Sequence, residues 1–273
     1  MKKPSIDSFI VYSFKNGRWQ EKKDALTGEE PLEIIVTDPA GEHKKTMAVT
    51  MRTPEHDDEL ATGFLFSEGL LNDSSEVLQI KMKDANTIVI AVDENTFERI
   101  KDSESLNRYS FVNASCGVCG RTSIESLKEK GFKRIQSDWK ISAKTILTFS
   151  DQMRSAQKVF DATGGLHAAG LFTAAGELVC VREDIGRHNA VDKIIGHVYE
   201  QGLLPLNNHI IMVSGRLSYE IVQKAVSVQT PILAAISAPS NLAVKTAFEF
   251  GLTLVGFLRS DHFNVYTYED RIS

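Results

Sequence analysis

Between Leu178 and Gly251 the chain passes three times from a short apolar run into an amphipathic helical pattern: LVCV to AVDKIIGHVYEQG, IIMV to SYEIVQKAVSVQ, and ILAAI to NLAVKTAFEFG. Strands alternating with helices need crossover connections, so this rhythm predicts a mainly parallel sheet with helices on both faces. GGLHAAGLFTAAGELVCV precedes the first unit and reads as a hairpin turning at Ala175-Gly176, itself preceded by a helix over KTILTFSDQMRSAQKVF. LTLVGFLR and FNVYTY close the chain as strands.

The first part has a different texture. LEIIVT (32–37) and KTMAVTMRT (45–53) are short, β-branched and joined by the turn-prone DPAGEH. TPEHDDELATGFLFSEGLL (53–71) reads as a helix with Thr53 as cap, Pro54 in the first helical position and acids at the positive end of its dipole. Within it Leu60, Phe64 and Leu65 recur at helical spacing. VLQIKMKD and NTIVIAVD (77–93) alternate as a hairpin. The expected organisation is a small N-terminal α/β roll with the CxxC loop and linker, 1–135, followed by a three-layer α/β/α domain, 136–273.

Totals narrow the function classes. A formal net charge of −5 and the lack of a Lys/Arg block give no electrostatic footprint for nucleic acid. The longest apolar runs are strand-sized, far short of a membrane span. The N-terminus MKKPSIDSFIVYSF lacks the apolar core and cleavage site of a secretory signal. Three cysteines are odd in number and too few for a disulfide scaffold, which fits the reducing cytoplasm.

In an open α/β sheet, ligands sit at the carboxyl ends of the strands. Here those ends carry REDIGRHN (182–189), SGRLS (214–218) and SAPSN (237–241). One such charged loop is as readily a self-paired, solvated cluster as a site. Three on one edge point to a pocket for a phosphorylated or nucleotide-like ligand, with Ser214, Gly215 and Arg216 ahead of a helix whose free N–H groups favour an anion. No GxxxxGK[ST] or GxGxxG sharpens that reading. His167, among small residues in GGLHAAG, is by pattern more a structural histidine than a catalytic one.

Cys116 and Cys119 stand in FVNASCGVCG, a loop of Ser, Gly and Asn. A structural zinc needs four ligands, and Cys180, in an apolar strand pattern, has no neighbouring ligand to complete a set. Zinc deaminase chemistry needs an H-x-E element before its P-C-x-x-C, and here the CxxC comes first. Two readings stay open. TSIESLKEKG after the motif suits thiol–disulfide exchange at a helix start, although the strand–helix pattern upstream does not. Alternatively, the glycine-flanked thiolate carries a persulfide, which the second thiol shares or resolves by exchange.

Six motifs in order, NASCGVCG, GGLHAAG, REDIGRHNAVDKIIG, SGRLSYEIVQKA, ILAAISAPSNLAV and GLTLVGFLR…FNVYT, closely resemble the formate dehydrogenase accessory sulfurtransferases, the FdhD/NarQ family. The resemblance runs from about Pro31 to Thr267, and TPEHDDELATGFLFSEGL fits it too. It implies a C-terminal domain similar in fold to cytidine deaminases without their zinc ligands. It implies sulfur taken as a persulfide from a cysteine desulfurase, on Cys116 with Cys119 as its partner. The acceptor it implies is the bis-molybdopterin guanine dinucleotide cofactor, before insertion into formate dehydrogenase, with guanosine diphosphate as a mimic and no structural metal. The family's cofactor-binding segment maps onto Phe263, Asn264, Val265, Tyr266, Thr267 and Tyr268, and the strand-end loops add Arg187, His188, Ser214, Arg216 and Ser237 as pocket candidates. A homodimer is implied as well. Two rival functions differ in what Cys116 does: a cofactor-binding chaperone that does not need it, and a thiol–disulfide oxidoreductase that needs no desulfurase.

Overall fold

The computed structural model describes residues 5–102 and 120–273, arranged around three sheets. An N-terminal hairpin pairs β1 (Ile6–Lys15) with β2 (Arg18–Thr27). Asn16 and Gly17 turn it with φ of 53° and 77°, the double left-handed geometry that suits Asn-Gly. Ile6, Ile10, Tyr12 and Phe14 share one face of β1, and Asn16-Gly17 is the sequence signal for its turn.

The second sheet has the order β4-β3-β6-β5, from β3 (Glu30–Thr37), β4 (Lys44–Arg52), β5 (Val77–Met82) and β6 (Thr87–Val92). Its hairpins β3–β4 and β5–β6 are antiparallel, and β3 meets β6 in parallel. Helix α1 (Asp57–Ser67) and α2 (Glu94–Asp102) cover the sheet and bury Leu60, Leu65, Phe97 and Ile100 against Leu32, Ile34, Ile88 and Ile90. The helix expected to start at Pro54 begins three residues later, at Asp57. Thr53 is held outside the helix: its N–H donates to Asp184, its Oγ1 accepts from Ile185 N–H and its carbonyl accepts from Lys193. The left-handed turn at Glu55 and His56 (φ 114° and 55°) follows, and buried Arg52 grips Asp57 with both Nε and Nη2, fixing the helix start there.

The third sheet runs β12-β11-β10-β9-β7-β8. Its strands are β7 (His167–Thr173), β8 (Leu178–Asp184), β9 (His209–Val213), β10 (Ile232–Ala235), β11 (Thr253–Gly256) and β12 (Asn264–Thr267). The hairpin turns at Gly176, φ 86°, as its sequence signalled. The expectation of a mainly parallel sheet needs correction. Only β9–β10 and β10–β11 are parallel, because the β7–β8 hairpin pairs antiparallel beside β9 and β12 folds straight back on β11.

Helices α7 (Arg187–Glu200), α8 (Tyr219–Ser227) and α9 (Asn241–Glu249) share one face with α3 (Gly120–Glu129), around Leu171, Ile211, Leu233 and Leu254. Leu127 and Ile135 join that same core. The opposite face, with Phe172, Met212 and Val255, is closed by Ile146, Phe149 and Met153. These come from α4 (Ala143–Leu147) and α5 (Phe149–Ala156), which with α6 (Lys158–Thr163) replace the single helix read from Lys144 onward. Glu183 accepts the Val159 and Phe160 N–H groups, capping α6 and setting it off from α5.

α1 and α7 join the two larger sheets at a separation only glycine permits. A Cβ on Gly63 would stand 1.9 Å from Asp192 O, and one on Gly196 1.8 Å from Glu59 O. Asp192 and Lys224 pair at 2.7 Å beneath this contact, and Ser67 Oγ donates to the same carboxylate.

Candidate functional site

The topology gathers one edge. β9, β10 and β11 are parallel and end there. Because β7 is antiparallel to β9, His167 at its start lies at the same edge, paired with Asp184 at the end of β8. Asn264, at the start of β12, pairs with Gly256, the last residue of β11. The loops after β8, β9, β10 and β11 therefore converge.

Backbone bonds fix the floor. Ile236 N–H donates to Val213 O, Leu217 N–H to Ala238 O and Ser240 N–H to Leu217 O, so Leu217 and Pro239 carry the parallel ladder beyond the strands. Phe257 N–H donates to Ser237 O and Leu258 N–H to Ala235 O. Ser214 closes β9 onto β7: its N–H donates to Ala168 O, and its Oγ accepts from Ala168 N–H.

The charge cluster REDIGRHN divides sharply. Arg182 pairs with Glu59, which also meets His197 Nδ1 at 3.0 Å, and Glu183 caps α6. Asp184 Oδ1 accepts from Gly186 N–H and Asn189 Nδ2, while Oδ2 accepts from Thr53 N–H and lies 2.7 Å from Lys193 Nζ. Asn189 also reaches back to β4, through Met51 O and Thr50 Oγ1. These residues are committed to holding the sheets together.

Arg187 and His188 are not spent this way. α7 starts after Gly186 with no side-chain cap and no acid in its first turn, which leaves its positive end for an anion. Arg187 Nε is buried without a hydrogen-bond partner, and Arg216 on the next loop is exposed. Among the described residues neither guanidinium meets a carboxylate. Both side chains of Arg187 and His167 flank Gly215: a Cβ there would stand 3.4 Å from Arg187 Cβ and 3.5 Å from His167 Nδ1. Burial, then the charge of Arg187, lowers the His167 pKa. Burial, followed by Lys224 and Arg187, pushes His188 down to about 4. Its Nε2 lies 3.4 Å from Ser218 Oγ. At neutral pH both imidazoles are uncharged hydrogen-bonding groups beside two free guanidinium ions, an arrangement suited to phosphate oxygens.

Ser237 sits on the neighbouring loop, where Gly256 admits the Tyr266 ring: a Cβ there would meet Tyr266 Cε2 at 3.0 Å and Pro239 Cδ at 3.2 Å. The segment 263–268 runs away from this edge. Asn264 is exposed at it, Phe263 packs on the α4–α5 side and Val265 pairs with Val255. Thr267 is buried, its hydroxyl donating to Leu252 O and accepting from Leu254 N–H. Tyr268 stands at the opposite end of the sheet, stacked on Phe248 at 5.6 Å with Arg134 and Arg271 over its ring. The structure thus brings Asn264 and Tyr266 toward Ser237, Arg187, His188, Ser214 and Arg216, and places Thr267 and Tyr268 elsewhere. Cys116 and Cys119 lie outside the described residues. Cys180 is half-buried, and burial pushes its thiol up to about 11.

His167, which pattern alone reads as structural, belongs to the edge beside Gly215. The strand-paired signal was GGLHAAG itself, which the antiparallel register of β7 turns toward the loops. Two clefts of about 420 and 600 Å³ lie away from this edge, near Tyr199 and near Arg52. Their polar groups are engaged, Tyr199 OH with Asp73 O and Arg52 with Asp57, so the open edge is the better site.

Fold and edge together define a three-layer α/β protein with an uncommitted cationic surface at its strand ends. The FdhD/NarQ family model matches residues 27–273, and the chain belongs to this family. It is 43% identical over 271 residues to the sulfur carrier protein FdhD of Streptomyces avermitilis, across 96% of this chain and 94% of that one. Its identity to the sulfur carrier protein FdhD of Saccharolobus solfataricus is 40% over 267 residues, 98% of both chains. In fold it is similar to the crystal structure of a candidate formate dehydrogenase accessory protein from Desulfotalea psychrophila, with a TM-score of 0.77 and 24% identity over 99% of this chain and 100% of that one. No helix among the described residues is long and apolar enough to cross a membrane.

Proposed function

We propose that this chain is a cytoplasmic sulfurtransferase of formate dehydrogenase maturation. It takes sulfur from a cysteine desulfurase on Cys116 and delivers it to bis-molybdopterin guanine dinucleotide held at the strand-end edge. The carrying observation is that curated sulfur carrier proteins match this chain at 40–43% identity over nearly their whole length. The unpaired Arg187 and Arg216 supply the second support, since a guanine dinucleotide acceptor presents phosphates. The order of α4–α6, the β7–β8 hairpin and three strand–helix units supports kinship of this half with cytidine deaminases.

Loading needs no net redox change. The Cys116 thiolate attacks the terminal sulfur of the donor persulfide, one S–S bond forms, the donor S–S bond breaks, and the donor cysteine leaves as thiolate. In delivery, the Cys119 thiolate attacks Cys116 Sγ and displaces the terminal sulfur as hydrosulfide to the acceptor. The two cysteines are left as a disulfide, which a thiol reductant must return to the dithiol. On the binding side, Arg187 and Arg216 hold phosphate oxygens, neutral His167 and His188 add hydrogen bonds, and Tyr266 with Asn264 borders the base.

Intact-mass spectrometry after incubation with a cysteine desulfurase and cysteine tests the proposal. A reductant-labile sulfur adduct on wild type, lost in Cys116→Ala, is the expected result. Absence of any adduct beside an active desulfurase overturns it in favour of the cofactor-binding chaperone.

A further inference from the structure

The β1–β2 arm is tied to the body at its base, by Gly28 N–H to Ser5 O at 2.8 Å, Thr27 Oγ1 to Thr163 Oγ1 at 2.8 Å and Ser5 Oγ to Glu55 at 3.2 Å. Each strand has ten residues, so at about 3.4 Å per residue the ribbon is roughly 30 Å long. Its register sorts the far end onto two faces. One carries Phe14 opposite Trp19, their rings 5.2 Å apart, and then Tyr12 opposite Glu21. Phe14 is 60% exposed, Tyr12 71% and Trp19 71%. The other begins with Lys15 opposite Arg18, both exposed. Like charges set across a ribbon destabilise it, and among the described residues neither cation meets a carboxylate. Between Asp7 and Glu21 the chain has no acid, although its net charge is −5. The end of the arm is thus cationic and aromatic on an acidic protein.

We propose that the end of this arm docks on an anionic lipid surface, with Phe14 and Trp19 entering the interface and Lys15 and Arg18 holding lipid phosphates. Aromatic rings settle at the boundary between headgroups and acyl chains, where one side is apolar and the other wet. The ribbon leans on its aromatic face, so the two rings enter to a depth of about 5–10 Å. Lys15 and Arg18 stand on the opposite face at the same end, and their long stems keep the charges at phosphate height. Glu21 shares the aromatic face but lies two residues, about 7 Å, nearer the body, where the lean lifts it clear of the apolar layer. The length of the arm matters as much as its end. Charges are screened over about 8 Å at physiological salt, and a ribbon of roughly 30 Å carries the acidic body farther than that from the surface. A protein partner fits less well. The end of a two-stranded ribbon offers far less than the roughly 800 Å² per side of a stable protein interface, whereas a lipid surface needs only a few rings and charges. The family match begins at residue 27, so the arm lies outside it and the proposal is independent of the sulfur-transfer reading.

Flotation of the full chain with vesicles tests the proposal, using phosphatidylcholine alone and phosphatidylcholine mixed two to one with phosphatidylglycerol. Wild type is expected to float with the mixed vesicles about tenfold more strongly than with phosphatidylcholine alone, and less strongly as salt is added. Phe14→Ser with Trp19→Ser, and Lys15→Glu with Arg18→Glu, are each expected to lower partitioning about tenfold or more. Lys81→Glu with Lys83→Glu makes the same charge change on exposed residues of the β5–β6 hairpin and is expected to leave partitioning unchanged. Brominated lipid is expected to quench wild-type tryptophan fluorescence, and the quenching is expected to be lost in Trp19→Phe, which keeps a ring in place. All the substituted side chains are exposed, and far-UV circular dichroism confirms that each variant is folded. A wild type that does not float overturns the proposal and leaves the arm to a protein or nucleic-acid partner. Equal binding to both kinds of vesicle, equal losses from the Lys81 and Lys15 pairs, or an unquenched Trp19 on bound protein overturns it as well.

Discussion

Lys193 Nζ lies 2.7 Å from Asp184 Oδ2, with side-chain exposures of 1% and 0%. Lys193 also donates to Thr53 O, and Asp184 accepts from Thr53 N–H, so the pair ties the end of β8 and the middle of α7 to the chain leaving β4. Removing one partner of a buried pair costs about 3–5 kcal/mol, because the other charge is left unpaired. Asp184→Ala strips a partner from four donors, whereas Lys193→Met leaves Asp184 three N–H donors. Urea unfolding is expected to show both variants destabilised, with Asp184→Ala the worse. The reverse order would contradict this account.

Gly196→Ala is expected to be among the most damaging single-methyl changes in the chain. Its Cβ would stand 1.8 Å from Glu59 O, a backbone atom that cannot swing away. Forcing α1 from α7 costs at least about 3 kcal/mol, the upper end for overpacking. A shift in the urea midpoint comparable to that of an exposed Gly→Ala change would show that the helices can separate cheaply.

Arg187→Gln and Arg216→Gln are each expected to weaken guanosine diphosphate binding by ten- to a hundredfold in calorimetry, while persulfide loading on Cys116 stays intact. Each removes one charge-assisted hydrogen bond to phosphate. Tyr268→Phe, at the far end of the sheet, is expected to leave the affinity unchanged. Equal losses from Tyr268 and the arginines would relocate the pocket.

His188 makes stability depend on acid. Its pKa falls from 6.5 in the unfolded chain to about 4 in the fold, chiefly through burial. Its contribution is complete above pH 6.5 and is lost as pH drops toward 4, where the unfolded chain binds the proton more readily. Wild type is expected to lose on the order of 2 kcal/mol more than His188→Gln between pH 7.5 and 4.5 in urea titrations. Parallel curves for the two proteins would show that the imidazole protonates freely in place.

The strand–helix rhythm after Leu178 was plain in the sequence because each unit buries one apolar stripe, and α7, α8 and α9 stand where it put them. What local pattern cannot show is pairing between distant segments. Thr53 reads as a cap by type, yet Asp184 and Lys193 hold it outside the helix from more than 130 positions away. The same long-range pairing divided the REDIGRHN cluster, giving Arg182 and Asp184 to the sheet contacts and leaving Arg187 and His188 at the edge. Tyr268 went to the opposite end for a simpler reason: four residues of extended chain at about 3.4 Å each carry it from the Asn264 end to the Thr267 end.

The ladder through Leu217, Ala238 and Ser240 has one more consequence. Because the Leu217–Ala238–Ser240 ladder is made of main-chain bonds, the ground beneath the edge does not depend on the side chains of Arg216, Ser237 or Asn264. Affinity and ligand preference at Arg216, Ser237 or Asn264 can therefore be rewritten by substitution while the platform keeps its shape, much as type is reset in a fixed frame.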